Sequence, residues 1–312
     1  MEQTTAGKHA FQIKIEEGQS INATRIVGNT VGKRLVVTAG VHGDEYVGIQ
    51  AIREILEELK PQKLAGQVIF VPVVNRDGFY EGTYLVPEDG ENLNRCFPGS
   101  QKKSLTWRMA YALEQTLYPN ADFLLDLHSG SSYESMEPLA FFPVDAGEMI
   151  ESFTRSAVQK LSLSYMVQSY AKDGLYSWAA QCGIPAILIE RGGKGTWSSE
   201  EVAACKENIY QIMNFLGIYP YSKQEKTPVE IQEAHYETAG TCGYWYCNKT
   251  PGASFTKDEI VGYLMNDEGQ IQQEIRAPFD GVVLYHTNAL GVKAGMPLVA
   301  YGKIRHGCAT DK

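Results

Sequence analysis

Apolar residues follow two different periods in the first two thirds of the chain. Continuous apolar runs of strand length predict buried strands at 35–40, 67–74, 121–127 and 186–189. Apolar residues that recur at helical spacing predict helices at 46–60, 105–117, 149–161 and 174–182. Short alternating runs predict an edge hairpin at 11–15 and 21–27. This order of elements is typical of an α/β protein with a mixed, mainly parallel sheet flanked by helices.

The pattern changes after residue 218. Residues 219–230 contain two prolines and several charges and predict a linker, and shorter alternating runs with frequent glycines follow it. Those runs fall into two similar halves, as in a small barrel built from a repeated hairpin pair. We therefore predict a first domain at 1–220, a linker at 221–236 and a C-terminal β-barrel-like domain at 237–312.

Composition and charge narrow the class of protein. The 312 residues suffice for a sizeable core, the hydrophobic share is 44% and the net charge is -9. A negative chain is a poor partner for nucleic acid or an anionic membrane, and no apolar run is long enough to span a bilayer. Residues 1–10 lack the apolar core of a signal peptide, so we expect a cytoplasmic protein. The cysteines form no C-x-x-C pair, which predicts free thiols at Cys96, Cys182, Cys205, Cys242, Cys247 and Cys308.

Three predicted strands end in residues suited to metal chemistry. His42 and Glu45 lie on the glycine-rich turn after the first of them. His128 follows a later strand, and Glu190 closes another. Each motif alone is weak, because a solvated turn with a helix-capping acid or a structural histidine would look the same. Together they place two histidines and two carboxylates at one edge of the sheet, which suffices for a zinc site and a base.

Two further features add to this picture. Asp126 shares a strand face with His128 and can therefore orient its imidazole. Residues 75–99 show no secondary-structure pattern, and a structureless loop of this length inside a domain is usually functional. Within it, Arg95 after Asn94 can present a fork of donors to a carboxylate; the alternative is a surface arginine in a salt bridge.

The order of these motifs resembles that of the M14-type zinc carboxypeptidase superfamily. The likeness is carried by His42-Gly43-Asp44-Glu45, Asn94-Arg95, His128 and Glu190. More narrowly, residues 40–45 (Gly-Val-His-Gly-Asp-Glu) and 92–99 (Asn-Leu-Asn-Arg-Cys-Phe-Pro-Gly) resemble the succinylglutamate desuccinylase and aspartoacylase branch. Members of that branch cleave the amide of N-acylated amino acids. The likeness covers most of residues 10–220 and extends more loosely to the C-terminal part.

The resemblance implies a zinc-carboxypeptidase-like fold and a set of residue roles. One zinc ion per chain would be held by His42, Glu45 and His128. Glu190 would be the general base, and Arg95 with Asn94 would bind the substrate carboxylate. The first domain would then be the zinc-dependent catalytic domain.

The chain departs from this family at one position. Relatives with this C-terminal part often read Gly-Thr-Arg where the chain reads Gly82-Thr83-Tyr84. The missing arginine would contact the substrate carbonyl or its acid group. Either Tyr84 or Arg76 takes over as a substrate-binding residue, or the substrate differs.

The C-terminal part has a likeness of its own. Residues 277–281 (Ala-Pro-Phe-Asp-Gly) resemble biotinyl and lipoyl carrier domains, which carry a modified lysine at a hairpin tip. The corresponding turn, 266–269, has no lysine, so we predict a scaffold. A barrel core, in preference to a ligand cage, is predicted for the aromatic residues Tyr244, Trp245 and Tyr246.

These interpretations predict a zinc-dependent hydrolase that cleaves a small N-acyl amino acid to a carboxylate and a free amine. A metallocarboxypeptidase acting on short peptides would use the same residues and is the first alternative. A non-catalytic metal-binding or ligand-binding protein is the second. Histidine and carboxylate ligands accept several divalent ions, so the sequence leaves the metal open, and it also leaves open whether the chain forms a homo-oligomer.

Overall fold

The fold was analysed in a computed structural model, which describes residues 5–224 and 226–304. Its strands, in chain order, are β1 Gly7–Glu16, β2 Gln19–Val27, β3 Thr30–Ala39, β4 Ala65–Val71, β5 Phe123–His128, β6 Glu134–Met136, β7 Leu139–Pro143, β8 Tyr165–Ser169, β9 Ala186–Glu190, β10 Val229–Thr238, β11 Gly243–Cys247, β12 Ser254–Phe255, β13 Ile260–Met265, β14 Ile271–Arg276, β15 Gly281–Thr287, β16 Gly291–Val292 and β17 Pro297–Ile304. Its α-helices are α1 Tyr46–Glu58, α2 Arg76–Glu81, α3 Leu105–Leu117, α4 Glu148–Val158, α5 Leu175–Gln181 and α6 Ser199–Phe215.

A mixed sheet of 13 strands runs through the described residues. Its order is β1-β2-β4-β3-β5-β9-β7-β8-β10-β17-β15-β12, with β6 paired to β15. The centre, β4-β3-β5-β9, is parallel, and the predicted hairpin β1-β2 lies antiparallel at the edge. Along β3, Leu35 and Val37 pack with α1 and α6, whereas Val36 packs with α3 and α5. This alternation buries both faces of the central strand and confirms the predicted mixed α/β fold.

The predicted structureless segment 75–99 contains one short α-helix, α2, and a 3-10 helix at Leu93–Arg95. Asn75 begins α2, since its side chain accepts a hydrogen bond from the Gly78 N–H at 3.0 Å. Gly82 ends it in a left-handed conformation with φ of 65°. The prediction was wrong here because a helix this short is too brief to show a hydrophobic period.

A separate C-terminal barrel is not confirmed. Residues 229–236, predicted as the end of a linker, lie in β10, which pairs in parallel with β8. β17 and β15 continue the same sheet, while β14-β13-β11-β16 forms a small antiparallel sheet. One core joins the two sheets through Trp245, Leu264, Val283 and Tyr301. Alternating sequence patterns identify strands, but they do not specify which sheet a strand joins.

The aromatic residues of β11 only partly match the predicted core. Trp245 lies in the predicted core, whereas Tyr244 and Tyr246 are 40% and 39% exposed, because neighbouring residues of a strand face opposite sides. The cysteines within the described residues are free thiols, as predicted, and Cys308 lies outside them. In the described part of the chain, no helix combines the length and apolarity needed to cross a membrane.

Candidate metal and active site

The turn between β3 and α1 positions the first two candidate residues. Gly40 has a φ of 64°, and a Cβ at Gly43 would come within 2.0 Å of the Gly78 carbonyl carbon, so both positions require glycine. The turn is therefore pressed closely against the start of α2. It directs His42 and Glu45 inward, where they are 3% and 4% exposed.

Three residues from two strand ends converge to form a candidate metal-binding triad: His42, Glu45 and His128. Glu45 Oε1 lies 2.7 Å from His42 Nδ1, and Glu45 Oε2 lies 2.9 Å from His128 Nδ1. The ligand atoms lie within 4.8 Å of one another, and all three residues are buried. The triad consists of the three residues that the sequence predicts as ligands.

The outer nitrogen of each histidine is already hydrogen-bonded. His42 Nε2 lies 3.1 Å from Asn92 Oδ1, which also accepts a backbone N–H, and His128 Nε2 lies 3.1 Å from Asp126 Oδ2. Both partners are acceptors, so both Nε2 atoms donate, and in a neutral imidazole the Nδ1 lone pair then faces Glu45. Lone pairs and a carboxylate repel one another unless a cation lies between them. The donor set therefore fits a metal ion, and Asp126 orients His128 as predicted.

The pKa values of His128 and Glu45 also indicate that positive charge is favoured in the triad. Burial lowers the pKa of His128, but the charges of Glu45 and Asp126 outweigh it and hold the pKa well above its usual value. Burial raises the pKa of Glu45, but the charges of His42 and His128 outweigh it and bring the pKa to about 2. Positive charge on the triad, from a proton or a metal ion, therefore stabilises the buried Glu45 carboxylate.

Strand β9 brings Glu190 beside the triad. β5 and β9 are parallel, with His128 opposite Glu190, so the predicted strand ends do meet at one edge. Glu190 Oε2 is buried and has no hydrogen-bond partner among the described residues. Burial raises the pKa of Glu190 well above its usual value despite the attraction of His128, and the charge of Glu45 raises it further. A buried, unpaired carboxyl group next to a metal-type triad can exchange protons with a reactant.

The triad lines a cavity of about 720 Å³, and Asn94 and Arg95 line the same cavity. Asn94 is buried, and its Oδ1 accepts the Leu175 N–H at 2.9 Å at the start of α5. Arg95 is exposed, and its Nη1 donates to the Asn94 carbonyl at 2.6 Å. Asn94 therefore fixes the loop to α5 and leaves the Arg95 guanidinium open to the cavity.

The two substitutes considered for the missing arginine lie in different places. Tyr84 lines the cavity and stacks on His42, with ring centroids 3.7 Å apart and an interplanar angle of 17°. Arg76 does not line this cavity; its guanidinium lies 5.7 Å from the centroid of the Tyr80 ring, on another surface of the molecule. The structure therefore brings Tyr84 to the site and leaves Arg76 outside it.

Sequence reasoning missed two acids near the triad. Asp44 Oδ2 accepts hydrogen bonds from the Ser132 N–H and Oγ, both at 3.0 Å. These bonds connect the segment after β5 to the turn that carries His42 and Glu45. Glu134 lies in that segment and lines the cavity. Asp44 lies inside the 40–45 motif and could have been noticed, but nothing in the sequence around Glu134 marks it.

The fold and this site define a class of protein: a mixed α/β protein with a buried two-histidine, one-carboxylate centre and an unpaired acid beside it. Residues 31–216 match the model of the succinylglutamate desuccinylase/aspartoacylase catalytic domain, which is more than half of the chain. The chain belongs to that family, as its motifs indicate.

Similar proteins extend the likeness beyond the matched domain. N-alpha-acetyl-L-2,4-diaminobutyric acid deacetylase of Halomonas elongata is 26% identical over 313 residues, covering 95% of this chain and 92% of that protein. The product-bound ectoine utilization protein EutE (DoeB) of Ruegeria pomeroyi has a TM-score of 0.87 at 24% identity over 97% of each chain. A succinylglutamate desuccinylase/aspartoacylase of Rhodobacter sphaeroides has a TM-score of 0.84 at 24% identity, covering 96% of this chain and 97% of that one. The shared fold therefore includes the C-terminal strands.

Proposed function

We propose that the protein is a zinc-dependent amidohydrolase that cleaves an N-acyl amino acid to a carboxylate and a free amine. The observation that carries the proposal is the position of Glu190: its buried, unpaired oxygen belongs to a residue opposite His128 that lines the cavity together with the triad and Arg95. Family membership supports it, and the Halomonas elongata relative is by name a deacetylase of an N-acetylated amino acid.

The residues that would hold the ion are His42, Glu45 and His128. Two neutral imidazoles and a carboxylate are a common ligand set of catalytic zinc sites, which keep a further position open. When bound, zinc supplies acidification of a water ligand and polarisation of a carbonyl oxygen. The hydrogen bonds to Asn92 and Asp126 hold both imidazoles in the tautomer that binds metal through Nδ1.

Glu190 carries out the proton transfer. As a carboxylate it accepts a proton from the attacking water, whose oxygen bonds to the amide carbon. It then gives that proton to the leaving nitrogen as the C–N bond breaks, so one water is consumed and one acid and one amine are released. Burial raises its pKa, which makes the carboxylate a stronger base than an exposed glutamate would be.

Arg95 and Tyr84 bind the substrate. The guanidinium of Arg95 offers two parallel donors to the free carboxylate of the amino-acid half, which places the scissile carbonyl at the triad. Burial raises the pKa of Tyr84, and the charge of Glu45 raises it further, so the phenol remains protonated. Tyr84 therefore contributes a neutral hydrogen-bond donor.

A carboxypeptidase acting on short peptides would use the same ion, base and arginine. The C-terminal strands contribute Tyr236, Tyr285 and Val299 to the cavity wall. A wall on this side leaves less room for a peptide that extends beyond the scissile bond, and so favours a small acyl group.

The test compares metal content and amine release in matched variants. Wild type is expected to bind about one zinc per chain and to release amine faster from N-acyl amino acids than from dipeptides. Glu190→Gln keeps the shape of the side chain but cannot take up the proton, so it should retain zinc while kcat falls by about 10²- to 10⁴-fold. Glu137→Gln is the matched control, because Glu137 does not line the cavity and accepts a hydrogen bond from Ser164 at 2.8 Å. An active Glu190→Gln variant, or faster cleavage of dipeptides, would overturn the proposal.

A further inference from the structure

The cavity wall carries more negative than positive charge. Among the described residues that line it, Arg95 is the only lysine or arginine, whereas the acidic residues are Glu45, Glu134, Glu190, Glu233 and Glu237. Glu233 lies 2.9 Å from His235 Nε2, and Glu237 accepts the Tyr301 hydroxyl at 2.6 Å. Glu45 belongs to the triad and Glu190 is the proposed base, so Glu134 is left without a role.

The backbone around Glu134 is fixed from several sides. Glu134 lies opposite Thr287 in the pairing of β6 with β15, and its carbonyl accepts the Lys194 N–H at 2.7 Å. A Cβ at Gly193 would come within 2.5 Å of that carbonyl oxygen, so the two segments are in close contact. The side chain is fixed as well, because Glu134 Oε2 accepts the Ser131 N–H at 3.2 Å. Glu134 therefore presents a carboxylate at a defined place in the wall.

The surroundings of Glu134 favour an incoming cation. Burial raises its pKa despite the Ser131 N–H, the charge of Glu45 raises it further, and the charge of His42 lowers it. No lysine or arginine is among the largest influences on that pKa. A substrate cation beside Glu134 would offset the energetic cost of burying its negative charge. A second substrate carboxylate would instead be repelled by that charge in a poorly solvated place.

We propose that Glu134 binds a cationic side chain of the substrate, so that the enzyme acts on N-acyl derivatives of basic amino acids, with one carboxylate at Arg95 and one ammonium group at Glu134. This proposal rests on the proposed amidohydrolase function. It deepens that function by assigning opposite charges to the two ends of the amino-acid half.

The experiment uses three substrates of similar size and different charge. These are the N-α-acetyl derivatives of 2,4-diaminobutyrate, norvaline and aspartate. Their side chains are cationic, neutral and anionic, respectively. We expect zinc-loaded wild type to show a kcat/KM for the cationic substrate about 10- to 100-fold above that for norvaline, with aspartate lowest. Glu134→Gln, which can still accept the Ser131 N–H, should reduce this ratio to nearly one. Glu134→Asp should keep part of the preference, and Glu233→Gln, a wall acid paired with His235, should keep all of it.

Two results would overturn the proposal. One is a wild-type protein that does not prefer the cationic substrate to norvaline. This measurement uses the wild type alone and so does not depend on whether a variant folds. The other is a folded Glu134→Gln protein that keeps the preference. If no amide of any class is cleaved, the amidohydrolase function fails, and calorimetric binding of the free amino acids then decides the role of Glu134. Tighter binding of 2,4-diaminobutyrate than of norvaline, lost in Glu134→Gln, would support it, and equal binding would refute it.

Discussion

Two regions of the molecule build the cavity, and they do so in different ways. The parallel centre, β3, β5 and β9, contributes polar residues on short motifs at the ends of its strands. Among them, His128 is hydrogen-bonded to Asp126 of its own strand. The C-terminal strands β10, β15 and β17 contribute mainly apolar and aromatic residues, and pairing between strands far apart in the chain positions them. Under the proposed function, the first region holds the triad and the base, whereas the second region, with β6, forms a large part of the cavity wall that a substrate would contact.

The largest expected effect comes from removing a ligand in the first region. His128→Ala deletes one of the three proposed metal ligands, so the protein should lose most of its metal, and turnover should fall by more than the 10- to 100-fold (about 1 to 3 kcal/mol) typical of an outer hydrogen-bond partner. Metal content after dialysis and amine release measure this. His235→Ala, a histidine of the second region paired with Glu233, is the control and should keep its metal. If both variants kept their metal, the assignment of chemistry to the first region would be wrong.

A smaller effect is expected from the residue behind that ligand. Asp126→Asn removes the charge that faces His128 Nε2, and metal affinity should fall by about 10- to 100-fold. Competition with a chelator measures the affinity. Asp122→Asn is the matched control: Asp122 directly precedes β5 but pairs with Lys33 at 2.9 Å, away from the triad, and its replacement should leave metal affinity unchanged. Equal losses in the two variants would mean that general strand stability is being measured and would weaken the role given to Asp126.

The smallest effect on metal binding is expected from the small sheet. Leu264→Ala leaves a void in the core that joins the two C-terminal sheets, which should lower the free energy of unfolding by about 2 to 5 kcal/mol without changing metal content. Leu125→Ala makes the same change beside Asp126 and should lower both quantities. Denaturant unfolding measures the free energy of unfolding of the two variants, and metal analysis measures their metal content. A loss of metal from Leu264→Ala would show that the two regions are not separable in this way.

The first region could be predicted well from the sequence because its information is local. A buried apolar run ending in glycine or an acid specifies where a strand stops, and parallel strands bring such ends together. His42, Glu45, His128 and Glu190 were all placed by that rule. Arg76 shows its limit, because a residue near a motif in sequence can point to another surface when a helix as short as α2 turns the chain.

The second region could not be predicted, for physical reasons. Alternation of apolar and polar residues fixes which face of a strand is buried, but strand partners depend on contacts across the whole chain. The pairing of β10 with β8 and of β6 with β15 is of this kind. Glu134 owes its place in the wall to such a pairing, so no local signal marks it.

The position of β17 between β10 and β15 has a consequence for biosynthesis. During translation, the three triad residues and the proposed base leave the ribosome before residue 200, whereas β17, which contributes to the cavity wall, lies at 297–304. A nascent chain thus contains all the triad residues well before β17 has been synthesised. If the triad formed at that stage, it would lack the part of the cavity wall that β17 contributes.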